Sequence, residues 1–329
     1  VVTPHFNGNR FLSETGQSLL NQTHKDWEWL IVDDGSHEHE LTLLEEWQKK
    51  DNRIKWQPRQ GDPKGANRCR NQGWKNAAGE HILFLDSDDI LLPHALEQRC
   101  ASIKSSPQND FILPYFQTVA FRANHENRWL WDDRANPISW LAALWSQTPP
   151  CQSSGPLWTK AALETAGGWS EDIQVWQDID IHQKAHFQGI RFVPASKTEP
   201  DLLYRIHEGS LSHNNFHSPL KLKSRARVLH NALEYANENA LDANEYKSLA
   251  RMTWSVFRNA CTLRKWSIAE RIITATKPIQ AIPTPFLSRW KMSSKIRTQK
   301  LHFIRRRLEK QANEFFPKGK RTILTTPYP

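Results

Sequence analysis

Residues 82–89 read Ile-Leu-Phe-Leu-Asp-Ser-Asp-Asp, an apolar run ending in the three carboxylates Asp86, Asp88 and Asp89. Like charges this close repel, so a cation has to make the arrangement worth keeping. Carboxylates are hard oxygen ligands suited to Mg²⁺ or Mn²⁺, ions that usually arrive with a substrate's phosphates. One of Asp86 and Asp88 can face an ion while the other takes a ribose hydroxyl or a metal-bound water. The same residues also suit a turn capping a helix that starts at Pro93, since Asp is a good N-cap.

Other segments carry candidate chemistry of the same kind. "IVDDGS" (31–36) is a second acidic strand end, where a carboxylate can accept a hydrogen bond from a pyrimidine N–H or Ser36 can cap a helix. Phe6, just past the first apolar run, could stack on a base or fill a core. Arg68 and Arg70 in "GANRCRNQG" (65–73) stand near a helix start. That place suits a diphosphate, although a solvated basic face reads the same way. In "GGWSEDIQVWQDIDIHQKA" (167–185), Asp178 follows Trp176 at a helix start, and His182 falls one turn later on the same face. A carboxylate there is a candidate general base or an N-cap.

Alternating strands and helices would position these groups. Strands are predicted at 1–4, 27–34, 53–57 and 81–85, and helices at 10–22, 38–50, within 61–80 and at 93–106. Leu41, Leu44 and Trp47 mark the buried stripe of the second helix. This alternation predicts an α/β fold with a mainly parallel sheet flanked by helices. Ligands in such sheets sit beyond the C-terminal strand ends, where Asp33, Asp34, Asp86, Asp88 and Asp89 all fall. Strand-like segments follow at 110–122, 153–158 and 190–206, with helical ones near 138–146, 159–167 and 178–188. From 219 the pattern is helical, over 219–239, 243–263 and 266–276. A proline-containing linker (277–286) leads to a basic tail.

The chain has 329 residues and a formal net charge of +9, which divides unevenly. Residues 217–329 carry a balance of +16, and residues 1–216 one of −7. Three regions are expected: 1–110, 111–216 and a helical basic C-terminal extension, 217–329. Arg289, Lys291, Arg305, Arg306 and Arg307 alternate with Trp290, Leu301, Phe303 and Ile304. A peripheral helix on an anionic membrane reads this way, as does a helix packed on the protein with solvated charges. No nucleic-acid motif accompanies the charge, so nucleic acid is not an expected partner. Four scattered cysteines without a CxxC pair fit a reducing cytoplasm. The chain opens on Val1 without Met, and a trimmed start is expected.

In order, "TPHFN", "VDDGS", "GANRCRNQG", "LFLDSDD", "GGWSED…WQDID" and "YRIHEGSLS" (204–212) resemble the family 2 glycosyltransferases of GT-A fold over residues 1–215. The resemblance implies an inverting enzyme that moves a sugar from a nucleotide-sugar, usually UDP-linked, to a glycan or lipid-linked acceptor. It implies that residues 1–110 hold the donor and 111–216 the acceptor. Pro4, Phe6 and Asp34 would then bind the base, and Arg70 would approach the nucleotide. Asp86 would meet the ribose or metal water, and Asp88 the Mn²⁺ or Mg²⁺. Asp178 would be the base, and His207 would lie in the loop over the diphosphate. The family often has Glu-Asp where this chain has Gln177-Asp178. A silent nucleotide-sugar or glycan-binding protein of the same fold is the alternative. Asp89 is expected only to cap the next turn.

Overall fold

The computed structural model describes residues 1–104, 110–122, 128–131, 139–196, 198–207, 218–279, 287–288 and 310. The first stretch holds β1 (Val2–His5), α1 (Asn9–Leu20), β2 (Trp29–Asp33), α2 (Glu38–Lys50), β3 (Ile54–Pro58), α3 (Ala66–Asn76), β4 (His81–Ile82), β5 (Ile90–Leu91) and α4 (Ala95–Lys104). Then come β6 (Ile112–Tyr115), β7 (Thr118–Arg122), β8 (Arg128–Leu130), α5 (Trp140–Trp145), β9 (Trp158–Thr159), α6 (Lys160–Thr165), α7 (Gln177–Phe187), β10 (Arg191–Pro194) and β11 (Leu202–Ile206). Three helices follow: α8 (Pro219–Glu238), α9 (Ala243–Thr262) and α10 (Trp266–Ala275).

β1, β2 and β3 are parallel in the order β1-β2-β3. The predicted strand 81–85 is ladder-paired only at β4, which runs antiparallel to β9. It is nonetheless held extended beside β1. Val2 N donates to Leu83 O at 2.8 Å and Leu85 N to Val2 O at 3.0 Å. On the far side, Phe116 N donates to Gly155 O and Leu157 N to Pro114 O, both at 3.1 Å, linking 155–157 to β6. β6 pairs in parallel with β10. One hydrogen-bonded surface therefore runs β3-β2-β1-β4-β9-β6-β10. The segment expected as a strand at 153–158 forms a ladder only at its end. The one expected at 190–206 divides between two sheets, because β11 joins a second sheet of order β5-β11-β7-β8. Pro93 falls in the turn before α4 rather than in its first turn.

Burial explains why these elements sit where they do. All five residues of β2 are buried, so helices cover both of its faces. Helix α3 packs on β1 through Gly73, where an added Cβ would meet Val2 Cγ1 at 2.3 Å. Only glycine permits that approach. A fully buried Arg99–Asp201 pair, with contacts of 2.8 and 2.7 Å, ties α4 to the entry of β11. Arg99 also donates to Ser154 O at 2.9 Å. Losing one partner of such a pair leaves a buried charge, at about 3–5 kcal/mol.

Helices α8, α9 and α10 share one apolar core with α5 and α7, through residues such as Trp145, Ile179, Leu229 and Phe257. A capping box at Asp242 and Glu245 starts α9. Among the described residues, no helix is long and apolar enough to cross a membrane. Residues 280–286 of the expected linker and nearly all of the basic tail lie outside the described residues, as do 208–217 of the segment expected over the diphosphate.

Candidate functional site

The acidic turn after residues 83–85 separates its three carboxylates by environment. Asp86 Oδ1 accepts from Arg70 Nη2 at 2.6 Å, and its Oδ2 accepts from Ser153 Oγ at 3.3 Å. Asp88 Oδ2 lies 2.8 Å from His207 Nε2. Burial and the Asp86 carboxylate push the Asp88 pKa up, against the pull of His207. Asp89 is buried, and its Oδ1 accepts from Arg205 N at 3.0 Å. Burial, then Asp88 and Asp86, push its pKa well above the ordinary value. Asp89 is therefore no helix cap: it is a cross-link from the turn to β11. Arg205 completes that link by donating from Nε to Asp88 O at 2.8 Å.

Helix α3 connects this turn to α7. Arg70 is buried, and its Nη1 donates to Gln177 Oε1 at 2.8 Å and Asn67 Oδ1 at 3.0 Å. Its guanidinium lies 4.7 Å from the Trp169 ring. Asn71 Nδ2 donates to Trp169 O at 2.8 Å and Glu171 Oε1 at 2.9 Å, while its Oδ1 accepts from Trp169 N at 2.9 Å. Gly168, with φ of 61°, leaves room for that amide: a Cβ would sit 2.8 Å from Asn71 Oδ1. Arg68 pairs with Glu171. The two arginines at the helix start thus bind protein carboxylates.

Asp178 opens α7 half-buried, its Oδ1 accepting from Ile179 N at 2.9 Å. Burial pushes its pKa up; the Ile179 N–H and Arg70 oppose that, and Asp86 adds to it. The preceding Trp176 adopts a left-handed φ of 62°, unfavourable for a non-glycine residue and a form of strain that concentrates at functional sites. His182 does not join Asp178. It is fully buried among Trp140, Trp158 and Phe192, with ring centroids at 5.6, 6.0 and 5.2 Å. Neither of its ring nitrogens has a hydrogen-bond partner. Burial lowers its pKa to about 3.

At the ends of β1 and β2, Pro4 is half-buried opposite Val32, and Phe6 is 55% exposed. Lys64 Nζ lies 5.8 Å from the Phe6 ring. Asp34 Oδ1 accepts from Arg59 Nε at 2.6 Å and Gly65 N at 3.1 Å. Asp33 supports the turn. Burial pushes its carboxyl up, but hydrogen bonds from His5, Ser36 and Gly35 outweigh that and bring it down to about 2. Sequence reasoning missed Arg59, Ser153, Arg205 and Gln177 as members of the site. Gln177 and Arg205 left a signal, the first standing beside the candidate base and the second inside the segment 204–212.

Residues 1–144 match the family described as Glycosyl transferase family 2. An uncharacterized glycosyltransferase of Rickettsia conorii is 36% identical over 132 residues, 40% of this chain and 20% of that protein. The GalNAc(5)-diNAcBac-PP-undecaprenol beta-1,3-glucosyltransferase of Campylobacter jejuni is 38% identical over 96 residues, 29% of this chain and 31% of that protein. The similarity thus spans between a fifth and a third of these relatives' length. Among solved structures, S. aureus TarS 1–349 in complex with UDP-GlcNAc aligns at a TM-score of 0.64 and 19% identity, covering 95% of this chain and 90% of that one. This likeness establishes the fold, which is GT-A.

Proposed function

We propose, from the match of residues 1–144 to the family described as Glycosyl transferase family 2, that the protein moves a sugar from a UDP-linked donor to a hydroxyl of a glycan or lipid-linked acceptor, inverting the anomeric carbon. The observation that carries this reading is the Arg70 bridge, which ties the acidic turn to the helix start bearing Asp178. The UDP-GlcNAc bound by TarS and the glucosyltransferase relative support the donor class.

Phe6 stacks on the base, Asp34 accepts from it, and Pro4 shapes the pocket. Arg70 is too buried to reach the donor directly, and acts by holding Asp86 toward the ribose or the metal's water. Asp178 takes the acceptor proton. The acceptor oxygen forms its bond to the anomeric carbon as the bond to phosphate breaks, and the electron pair leaves with the nucleoside diphosphate. The raised pKa of Asp178 suits a proton acceptor, since a base works best when its pKa approaches the working pH.

A divalent cation fits the residues present. Among the described residues, no cluster of three or more His, Cys, Asp or Glu side chains could hold one by itself. Asp88 and His207 are adjacent, however, and Mg²⁺ or Mn²⁺ commonly takes one or two protein ligands with the rest from phosphates and water. The imidazole favours Mn²⁺. Asp88 and His207 would hold the ion, which would supply Lewis-acid chemistry for the diphosphate's developing charge. We also assign the basic tail 287–329 to an anionic membrane surface on the cytoplasmic side, on its charge and aromatic pattern.

A thermal-shift screen of UDP-, GDP- and dTDP-sugars with Mn²⁺, followed by transfer assays with the hits, tests the reading. A ligand at a hundred times its Kd stabilises by about 2.7 kcal/mol. A UDP-sugar that raises Tm and is consumed supports an enzyme. Binding without turnover favours the silent binding protein, and no response to any nucleotide overturns both.

A further inference from the structure

The second sheet presents two unlike faces. Val119, Phe121 and Leu203 point into a small core. Their neighbours along β7 and β11 alternate to the opposite face. There the register aligns Tyr204 with Ala120 and Ala120 with Trp129. Just past β8, Trp131 N donates to Thr118 O at 2.8 Å, which places Trp131 on the same face as Trp129. Ala120 and Thr118 are small, so the Trp131 ring lies across them and meets Tyr204 edge-on at 5.1 Å. Trp129, Trp131 and Tyr204 all remain half-buried. The three rings therefore stand on one face of the sheet, with Trp131 and Tyr204 in contact and Trp129 beside them.

A single loop joins this surface to the catalytic carboxylates. Trp131 Nε1 donates to Pro149 O at 3.0 Å, and Thr118 Oγ1 donates to Gln152 Oε1 at 3.2 Å. The next residue, Ser153, donates to Asp86. Gln152 Nε2 is buried with no hydrogen-bond partner, an amide donor in need of an acceptor. From the other side, Tyr204 precedes Arg205, whose backbone N–H holds Asp89. Burial and the carboxylates of Asp89, Asp86, Asp88 and Asp178 all push the Tyr204 phenol pKa up.

We propose that Trp131 and Tyr204, flanked by Trp129, form the acceptor subsite, taking a pyranoside ring of a glycan against the aromatic surface beside Asp86. The inference rests on the glycosyltransferase reading and names the acceptor's chemical class. A pyranose presents an apolar C–H face to a ring and hydroxyls at its rim, and aromatic walls with a few placed polar groups hold such a ligand. A polyol phosphate would instead need cations on this face. Among the described residues of β7, β8 and β11, the cation there is Arg122, which lies over Trp129 at 5.7 Å.

Saturation-transfer NMR on the full chain with UDP and Mn²⁺ tests this, using cellotriose, maltotriose, chitotriose and glycerol 3-phosphate as probes. Calorimetric titration of UDP on the same samples reports the donor site. The expected result is transfer to ring C–H protons of at least one trisaccharide, reduced about fivefold or more in Trp131→Leu, with UDP affinity within about twofold of wild type. Trp129→Ala serves as a second variant should Trp131→Leu fail to bind UDP, and the same loss of trisaccharide signal is expected. UDP binding without trisaccharide signal, a signal indifferent to both variants, or a signal from glycerol 3-phosphate alone overturns the subsite and leaves the donor reading standing. Failure of wild type to bind UDP overturns the donor reading, and the subsite with it.

Discussion

Arg70 reaches Asp86 with one terminal nitrogen, at 2.6 Å, and Gln177 with the other, at 2.8 Å. A planar fork can hold two acceptors in fixed directions, whereas an ammonium is a point charge on a flexible stem. Arg70→Lys is therefore expected to fold with a near-normal Tm but to lose at least about tenfold in kcat/KM, roughly 1.4 kcal/mol of transition-state stabilisation. Arg70→Ala is expected to lower Tm as well, because it strands Asp86 in a half-buried place. Steady-state kinetics and melting curves of both variants decide; a fully active Arg70→Lys would show that the bridge positions nothing that matters to turnover.

Asp178→Asn removes the proton acceptor but keeps the shape of the helix start. Turnover is expected to fall at least ~10²-fold, with UDP-sugar affinity nearly unchanged. The pH profile provides a second readout. A base works deprotonated, and burial raises this carboxyl above its ordinary value of 3.8. Activity should therefore fall with decreasing pH in a limb centred above the ordinary aspartate value. That limb should be absent from the residual activity of Asp178→Asn. Wild-type turnover in the variant, or an unmoved acid limb, would remove Asp178 from the mechanism.

The first hundred residues were legible because their signals are local: apolar runs of strand length, one-sided helices such as α2, and acidic residues at strand ends. What failed depended on distant partners. Asp89 looks like a cap until Arg205, far along the chain, brings its backbone N–H to the carboxylate. His182 sits one turn from Asp178, but Trp140, Trp158 and Phe192 arrive from three other elements and bury it. Residues 83–85 are held extended beside β1 without a full ladder, which no periodicity distinguishes from a strand. Arg68 reads as a solvated or phosphate-facing cation until Glu171 is placed beside it. The strand-end carboxylates show where a ligand would meet the sheet, while their division of labour depends on contacts across the chain.

Metal removal tests the pairing of Asp88 with His207. EDTA is expected to abolish transfer, and Mn²⁺ to restore it better than Mg²⁺, since imidazole suits the softer ion. His207→Ala should raise the Mn²⁺ concentration for half-maximal activity by about tenfold, the low end for losing a metal's supporting contacts. UDP binding without metal should change little in this variant. Full activity in EDTA, or an unchanged Mn²⁺ requirement in His207→Ala, would count against this site.

His182 makes the fold sensitive to acid independently of catalysis. Burial lowers its pKa from 6.5 to about 3, so between those values the unfolded chain binds a proton that the folded chain refuses. Stability therefore rises with pH across that window. His182's contribution is fully present above 6.5 and is lost as pH falls toward 3, at up to about 1.4 kcal/mol per pH unit. His182→Phe removes the titrating group and keeps an aromatic ring among Trp140, Trp158 and Phe192. Its Tm is expected to drop less than that of wild type between about pH 7 and about pH 4.5, and to exceed the wild-type Tm at the lower end. Parallel Tm-against-pH curves for the two proteins would refute this origin of acid sensitivity, because a ring of similar size accounts for packing and leaves only the proton to explain a difference in slope.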